Sequence, residues 1–163
     1  MIGYLDTSAF VPLLVVEPST SLCRRFWDDA DAVVSSRLLY VEAAAALAQA
    51  VRIGRIADEE GRAAVALLDE LWDEFEVVEV DELLVGRAAD LARCHALRGY
   101  DAVHCASAQQ LDDDDVVVAA GDRRLLTVWT ALGMSTLDTS QDSTGVVADS
   151  TTDDTAAHDD EYG

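Results

Sequence analysis

Four carboxylates in this chain stand where an acid is out of place. Asp6 is the only charged residue from Met1 through Val16, and it closes the apolar run Ile2–Leu5. Glu42 is the only charge between Arg37 and Arg52. Asp101 is the only charge between Arg98 and Asp112, and Asp122 follows the apolar run Val116–Ala120 and Gly121. An ionised carboxylate in apolar surroundings is costly unless it is paired or bound to a metal. Brought together, the four would repel one another, at about 4 kcal/mol for two unit charges ~4 Å apart at an effective dielectric near 20. Within these segments only Arg123 and Arg124, beside Asp122, offer positive charge. A hard divalent cation resolves the repulsion, and oxygen-only ligands favour Mg²⁺ or Mn²⁺ over zinc. Each acid also has a plainer reading. Asp6, Asp101 and Asp122 could be helix caps, and Glu42, too deep in its helix to cap, could lie on a partly exposed face. Capping does not explain why all four occur together.

The elements that must position these acids are legible from spacing. Ile2–Leu5 is too short and too apolar for anything but a buried strand. Thr7 and Ser8 offer caps for a helix over Ala9–Val16 that stops before Pro18. A short helix is expected over Ser19–Ala30 and a strand over Ala32–Ser35. Ser36 caps a long helix to about Ile53, ended by Gly54. A helix from Asp58 carries Ala64, Leu67, Leu68, Leu71, Trp72 and Phe75 on one face. Glu76–Val80 reads as a strand and Asp81–Arg98 as a helix ended by Gly99. Tyr100 or Asp101 caps a helix to about Leu111. A strand over Val116–Ala120, a helix over Asp122–Leu132 and a strand over Met134–Leu137 complete the pattern. Short apolar strands alternating with helices predict an α/β fold, three layers with a short, mostly parallel sheet covered on both faces. Asp6 and Asp122 then leave the carboxyl ends of strands, the edge where open α/β sheets bind ligands.

Composition narrows the function. The chain has 163 residues, half of them hydrophobic, which suits one domain. Its 32 acids face 11 bases, all arginine, for a formal charge of −21. The absence of lysine excludes Schiff-base, P-loop and response-regulator chemistry, and the acidity excludes a basic nucleic-acid-coating protein. Three cysteines with no metal-ligand spacing make neither a disulfide scaffold nor a zinc site. No apolar run approaches the roughly 18 residues of a membrane span, and no basic segment precedes an apolar one at the N-terminus. A reduced, cytoplasmic protein is expected. Residues 139–163 carry seven acids and no base, and they read as a disordered acidic tail outside a domain of residues 1–138. The acidity and the lack of lysine fit a halophilic source, with GC-rich coding as the other account.

Other residues carry weaker signals. His104 lies three residues after Asp101 and reads first as a packing histidine. Cys94 and Cys105 read as small buried hydrophobes, and Trp27, Trp72 and Trp129 as core or dimer contacts. The pairs Arg24–Arg25 and Arg123–Arg124 are candidates for phosphate contacts, and Thr7 for a hydrogen bond to a ligand carboxylate or the phosphate.

The segments Tyr4-Leu5-Asp6-Thr7-Ser8-Ala9, Tyr40-Val41-Glu42-Ala43, Tyr100-Asp101-Ala102-Val103-His104-Cys105-Ala106-Ser107-Ala108 and Ala120-Gly121-Asp122-Arg123-Arg124-Leu125 resemble, in order and separation, the PIN domain, most nearly its VapC-like toxins. The resemblance spans roughly residues 1–137. The family often has Thr one or two residues before its last Asp, where this chain has Ala120 and Gly121. The resemblance implies a metal-dependent ribonuclease with Asp6, Glu42, Asp101 and Asp122 as its acidic site. It also implies a homodimer inhibited by a small antitoxin. On this reading Asp6 and Asp101 hold Mg²⁺ or Mn²⁺ with help from Asp122, while Glu42 orients the attacking water or ligates a second ion. Substrate contacts would come from Thr7, Arg123 and Arg124. The competing reading is a catalytically silent module of the same fold that only engages a partner protein. An aspartyl-phosphate enzyme is disfavoured, since Ser8 stands where one such family needs a second Asp and the other needs a lysine.

Overall fold

The computed structural model describes residues 1–111 and 113–140. The remaining tail residues, 141–163, lie outside the described residues. Five strands and seven helices alternate: β1 (Ile2–Leu5), α1 (Thr7–Leu14), α2 (Thr20–Asp29), β2 (Ala32–Ser36), α3 (Leu38–Arg52), α4 (Asp58–Trp72), β3 (Phe75–Val78), α5 (Glu82–His95), α6 (Gly99–Gln109), β4 (Val116–Ala120), α7 (Arg123–Ala131) and β5 (Ser135–Asp138). The strands form one sheet in the order β3-β2-β1-β4-β5, every neighbouring pair parallel. The expected α/β layering is present, and the sheet is parallel throughout.

The order dictates the layers. The chain steps from β1 to β2 to β3 in one direction, then crosses back over β1 to β4 and on to β5. Because parallel crossovers are right-handed, that reversal sends helices α1–α4 to one face and α5–α7 to the other. The core is divided accordingly. Leu5, Phe10, Leu39, Leu47, Leu68 and Phe75 pack on the first face. Tyr4, Leu84, Cys105, Val118, Leu125 and Trp129 pack on the second. Adjacent Tyr4 and Leu5 point to opposite faces, as strand geometry demands. Helices α3 and α4 approach closely because Gly61 has no side chain: a Cβ there would lie 2.5 Å from Val51 Cγ2.

Several local expectations shift. Helix α1 is capped by Asp6, whose Oδ1 accepts the Ala9 N–H at 3.0 Å; Thr7 and Ser8 begin the helix and their hydroxyls turn elsewhere. Helix α5 ends at His95 with Ala96 in the left-handed region (φ 52°), ahead of Gly99. Helix α6 starts at Gly99 after Arg98, so Asp101 sits in its first turn and is not the cap. Cys94 is exposed, because the buried side of α5 is carried by Leu84 and Ala88. Cys105 is buried as expected, Trp129 is wholly enclosed, and Trp27 and Trp72 pack around Phe75.

Candidate active site

The sheet order reverses between β1 and β4, and the crevice outside their carboxyl ends is where such a sheet opens to a ligand. Asp6 follows β1 directly, and Asp122 follows β4 after Gly121. The ends are tied together: the Asp6 N–H reaches the Ala119 carbonyl at 3.1 Å. The Ser8 hydroxyl accepts the Gly121 N–H at 2.6 Å and donates to Asp6 Oδ1 at 2.7 Å. Both hydrogen bonds to Asp6 therefore land on Oδ1, leaving Oδ2 for the crevice. The residue is only 6% exposed. Burial pushes its carboxyl up to about 6, with Glu42 adding to the rise, while the His104 ring, the Ser8 hydroxyl and the Ala9 N–H oppose it.

Glu42 reaches the same place from the second turn of α3. Its Oε2 accepts from the Thr7 hydroxyl at 3.1 Å and meets His104 Nε2 at 2.7 Å. His104 comes from α6 on the other side of the sheet, and its Nδ1 meets the Tyr4 hydroxyl at 2.9 Å. Asp101, one turn earlier on α6, is half-buried. Burial holds its carboxyl above the ordinary range, and Asp122 and then Glu42 push it further, against the pull of Arg98 and His104. Asp6, Glu42, Asp101 and Asp122 thus belong to one electrostatic neighbourhood.

Asp122 differs from the other three. It is exposed, and its Oδ1 caps α7 by accepting the Arg124 and Leu125 N–H groups at 2.8 and 3.2 Å. The Arg124 guanidinium donates to the Ala96 carbonyl at the end of α5, a favourable place for a cation at a helix C-terminus. Arg123 begins α7 with its side chain exposed. Thr7, read as a partner for a ligand carboxylate or the phosphate, donates its hydroxyl to the Glu42 carboxylate. Sequence reasoning ranked His104 as packing. The ring is indeed buried at 3% exposure, but both its nitrogens are engaged and one touches Glu42. Its three-residue offset from Asp101, on one side of a helix, was the available signal.

Among the described residues, no three His, Cys, Asp or Glu side chains form a group that could enclose a metal ion by themselves. The donor chemistry nonetheless fits a hard cation. The cleft acids offer only carboxylate oxygens, and Asp6 and Asp101 are raised by burial first, with repulsion from their acidic neighbours adding to it. Mg²⁺ in particular keeps several waters and is commonly bound through one or two carboxylates plus substrate phosphate, not by an all-protein cage.

A family model described as the PIN domain matches residues 3–128. The chain belongs to the PIN domain family. Among PIN relatives, a Mycobacterium tuberculosis protein named Ribonuclease VapC49 is 45% identical over 130 residues, covering 80% of this chain and 90% of that one. The PIN fold recurs in solved structures. FitAcB from Neisseria gonorrhoeae superposes with a TM-score of 0.63 at 17% identity, over 85% of this chain and 98% of that one. VapC20 of M. tuberculosis, described as a sarcin-ricin loop cleaving toxin, superposes with a TM-score of 0.60 at 19% identity, over 77% of this chain and 94% of that one. In this PIN domain the four acids read from the sequence all lie at the carboxyl edge of the sheet or on the helices bordering it.

Proposed function

We propose that this chain is a metal-dependent endoribonuclease acting as the toxin of a toxin–antitoxin pair. The observation that carries the reading is the buried Asp6 at the end of the central strand, its carboxyl pushed up to about 6 beside Glu42. Asp6 also caps α1, but a buried carboxyl with its proton affinity raised at the mouth of a crevice is a mark of a functional site. The curated relative that is 45% identical is a ribonuclease by name, which points to RNA over DNA.

Asp6 Oδ2 and Asp101 would hold Mg²⁺ or Mn²⁺, with Asp122 contributing from the exposed side. When bound, the ion supplies an acidified water and positive charge against the scissile phosphate. Glu42 orients the attacking water. Thr7 and His104 fix Glu42, and Ser8 fixes Asp6. Arg123, exposed at the start of α7, would meet the phosphate backbone, while Arg124 is committed to Ala96. Among the described residues no helix is long and apolar enough to cross a membrane, and an RNA substrate would suit a cytoplasmic protein. The family likeness supports a homodimer and a small antitoxin partner, and the charge of −21 supports a source with high internal salt.

The test is cleavage of a structured RNA and of DNA of the same sequence, each with Mg²⁺, with Mn²⁺ and with EDTA. RNA should be cut with either ion and spared with EDTA. Cleavage that persists in EDTA removes the metal from the proposal, and preferential cutting of DNA removes the ribonuclease.

A further inference from the structure

We propose that His104 is a positioning residue for Glu42, set in its working tautomer by Tyr4. The phenol of Tyr4 is wholly buried, and its O–H group can donate. It lies 2.9 Å from His104 Nδ1. With Nδ1 accepting from this O–H, the ring proton is left to Nε2, the nitrogen that faces the Glu42 carboxylate, which can only accept. That nitrogen is 2.7 Å from Glu42 Oε2 and donates to it. The Thr7 hydroxyl donates to the same oxygen at 3.1 Å. Two donors on Oε2 leave Oε1 as the oxygen Glu42 presents to the crevice.

The chain Tyr4–His104–Glu42–Thr7 draws on β1, α6, α3 and α1 in turn, so it fixes one carboxylate from both faces of the sheet. Its inner end is in the core and its outer end is at the cleft, where the Glu42 side chain is 19% exposed. His104, at 3% exposure, cannot itself touch a phosphate, which makes its role one of placement. Glutamate has three rotatable side-chain bonds. Unpinned, Oε1 would sample positions more than 1 Å away from any one water site, and misplacement of that size costs about 100-fold in rate. The ring also edges against Tyr4, with centroids 6.0 Å apart, so its rotation is blocked by packing as well as by hydrogen bonds.

The kinetic half of this inference rests on the nuclease reading. The structural half does not. His104→Leu removes the donor and keeps an apolar side chain, whereas His104→Gln can restore an N–H near the position of Nε2. Leu should lower kcat by about 10–100-fold, the range for groups that orient catalytic ligands, with KM changed less than about threefold. Gln should recover most of that loss. Tyr4→Phe should fall between wild type and His104→Leu. Independently, a long-range ¹⁵N–¹H spectrum of the wild-type chain should show His104 protonated on Nε2 and bare on Nδ1. Wild-type kcat in a folded His104→Leu protein overturns the proposal. So does equal damage from Gln and Leu in proteins that melt alike, or a proton on Nδ1. If the wild-type chain cuts no RNA, the nuclease reading fails, and the nitrogen spectrum still decides the network.

Discussion

The two strand ends that flank the crevice are built on opposite plans. At the end of β1, Asp6 is buried, shares its cap with a serine hydroxyl, and lies beside a second acid that is pinned by a histidine and a threonine. At the end of β4, Asp122 is exposed, caps α7 with two backbone N–H groups, and is followed by two arginines. Both carboxylates cap a helix, but the first does so where burial penalises its charge and the second does so in solvent. Where an acid stabilises the fold its presence explains itself. Where an acid strains the fold, in the middle of a crevice, function is the better account.

This contrast can be broken by experiment. The largest effect is expected at Asp6. Asp6→Asn keeps a cap acceptor and loses the charge, so RNA cleavage should fall by about 10³-fold or more, ~4 kcal/mol of barrier, with the fold intact by circular dichroism. Next in size is the pH dependence of stability without metal. Asp6 holds its proton up to about 6 in the folded chain, against an ordinary 3.8. As pH rises from about 4 to 6 the unfolded chain has lost that proton and the folded chain has not, so the stability the proton confers is present below about pH 4 and is lost above about pH 6. The full loss should approach 3 kcal/mol, and denaturant melts in EDTA at pH 4.5 and 7 should show about 2 kcal/mol of it. Asp6→Asn should flatten that difference and gain stability at pH 7, while added Mn²⁺ should stabilise the wild type alone.

Smaller effects belong to the other strand end. Asp122→Asn should lower cleavage by only about 10-fold, ~1.4 kcal/mol, because its geometry as a cap survives. Asp122→Ala should add a loss of about 1 kcal/mol in stability through the missing cap. If Asp122→Asn is as damaging as Asp6→Asn, the two ends are functionally equal and the contrast is wrong. Smallest of all should be the effect of salt on substrate binding. With Arg124 committed to Ala96, few cations remain to displace counterions, so log KM should rise only shallowly with log salt. The fold itself, strongly acidic, should melt at a higher temperature in molar salt, where repulsion is screened within about 3 Å.

Much of this was legible in the chain because it depends on periodicity and on isolation. The runs at Ile2–Leu5 and Val116–Ala120 are too short and too apolar to be anything but buried parallel strands, and an acid within two residues of each end marks the ligand edge. Glu42 could be singled out because it interrupts an apolar helix. The roles of hydroxyls and of His104 could not be read this way. A serine or threonine after a strand can cap a helix or turn to a neighbour, and here Asp6 took the cap and released Thr7 and Ser8. Nothing local fixes that outcome. It depends on how far Glu42 and Gly121, 35 and 113 residues away, come to those hydroxyls.

Sequence by itself therefore determined the α/β class, the strand order's raw material and the four acids, since burial and charge are properties of residue type and spacing. Tertiary structure decided which capping acid is buried and which stays in solvent. It also brought Tyr4, His104 and Glu42, up to 100 positions apart, into one hydrogen-bonded line. The physical reason is that a hydrogen bond is set by distance and angle between atoms, and for distant residues only the packed sheet and its helices fix those.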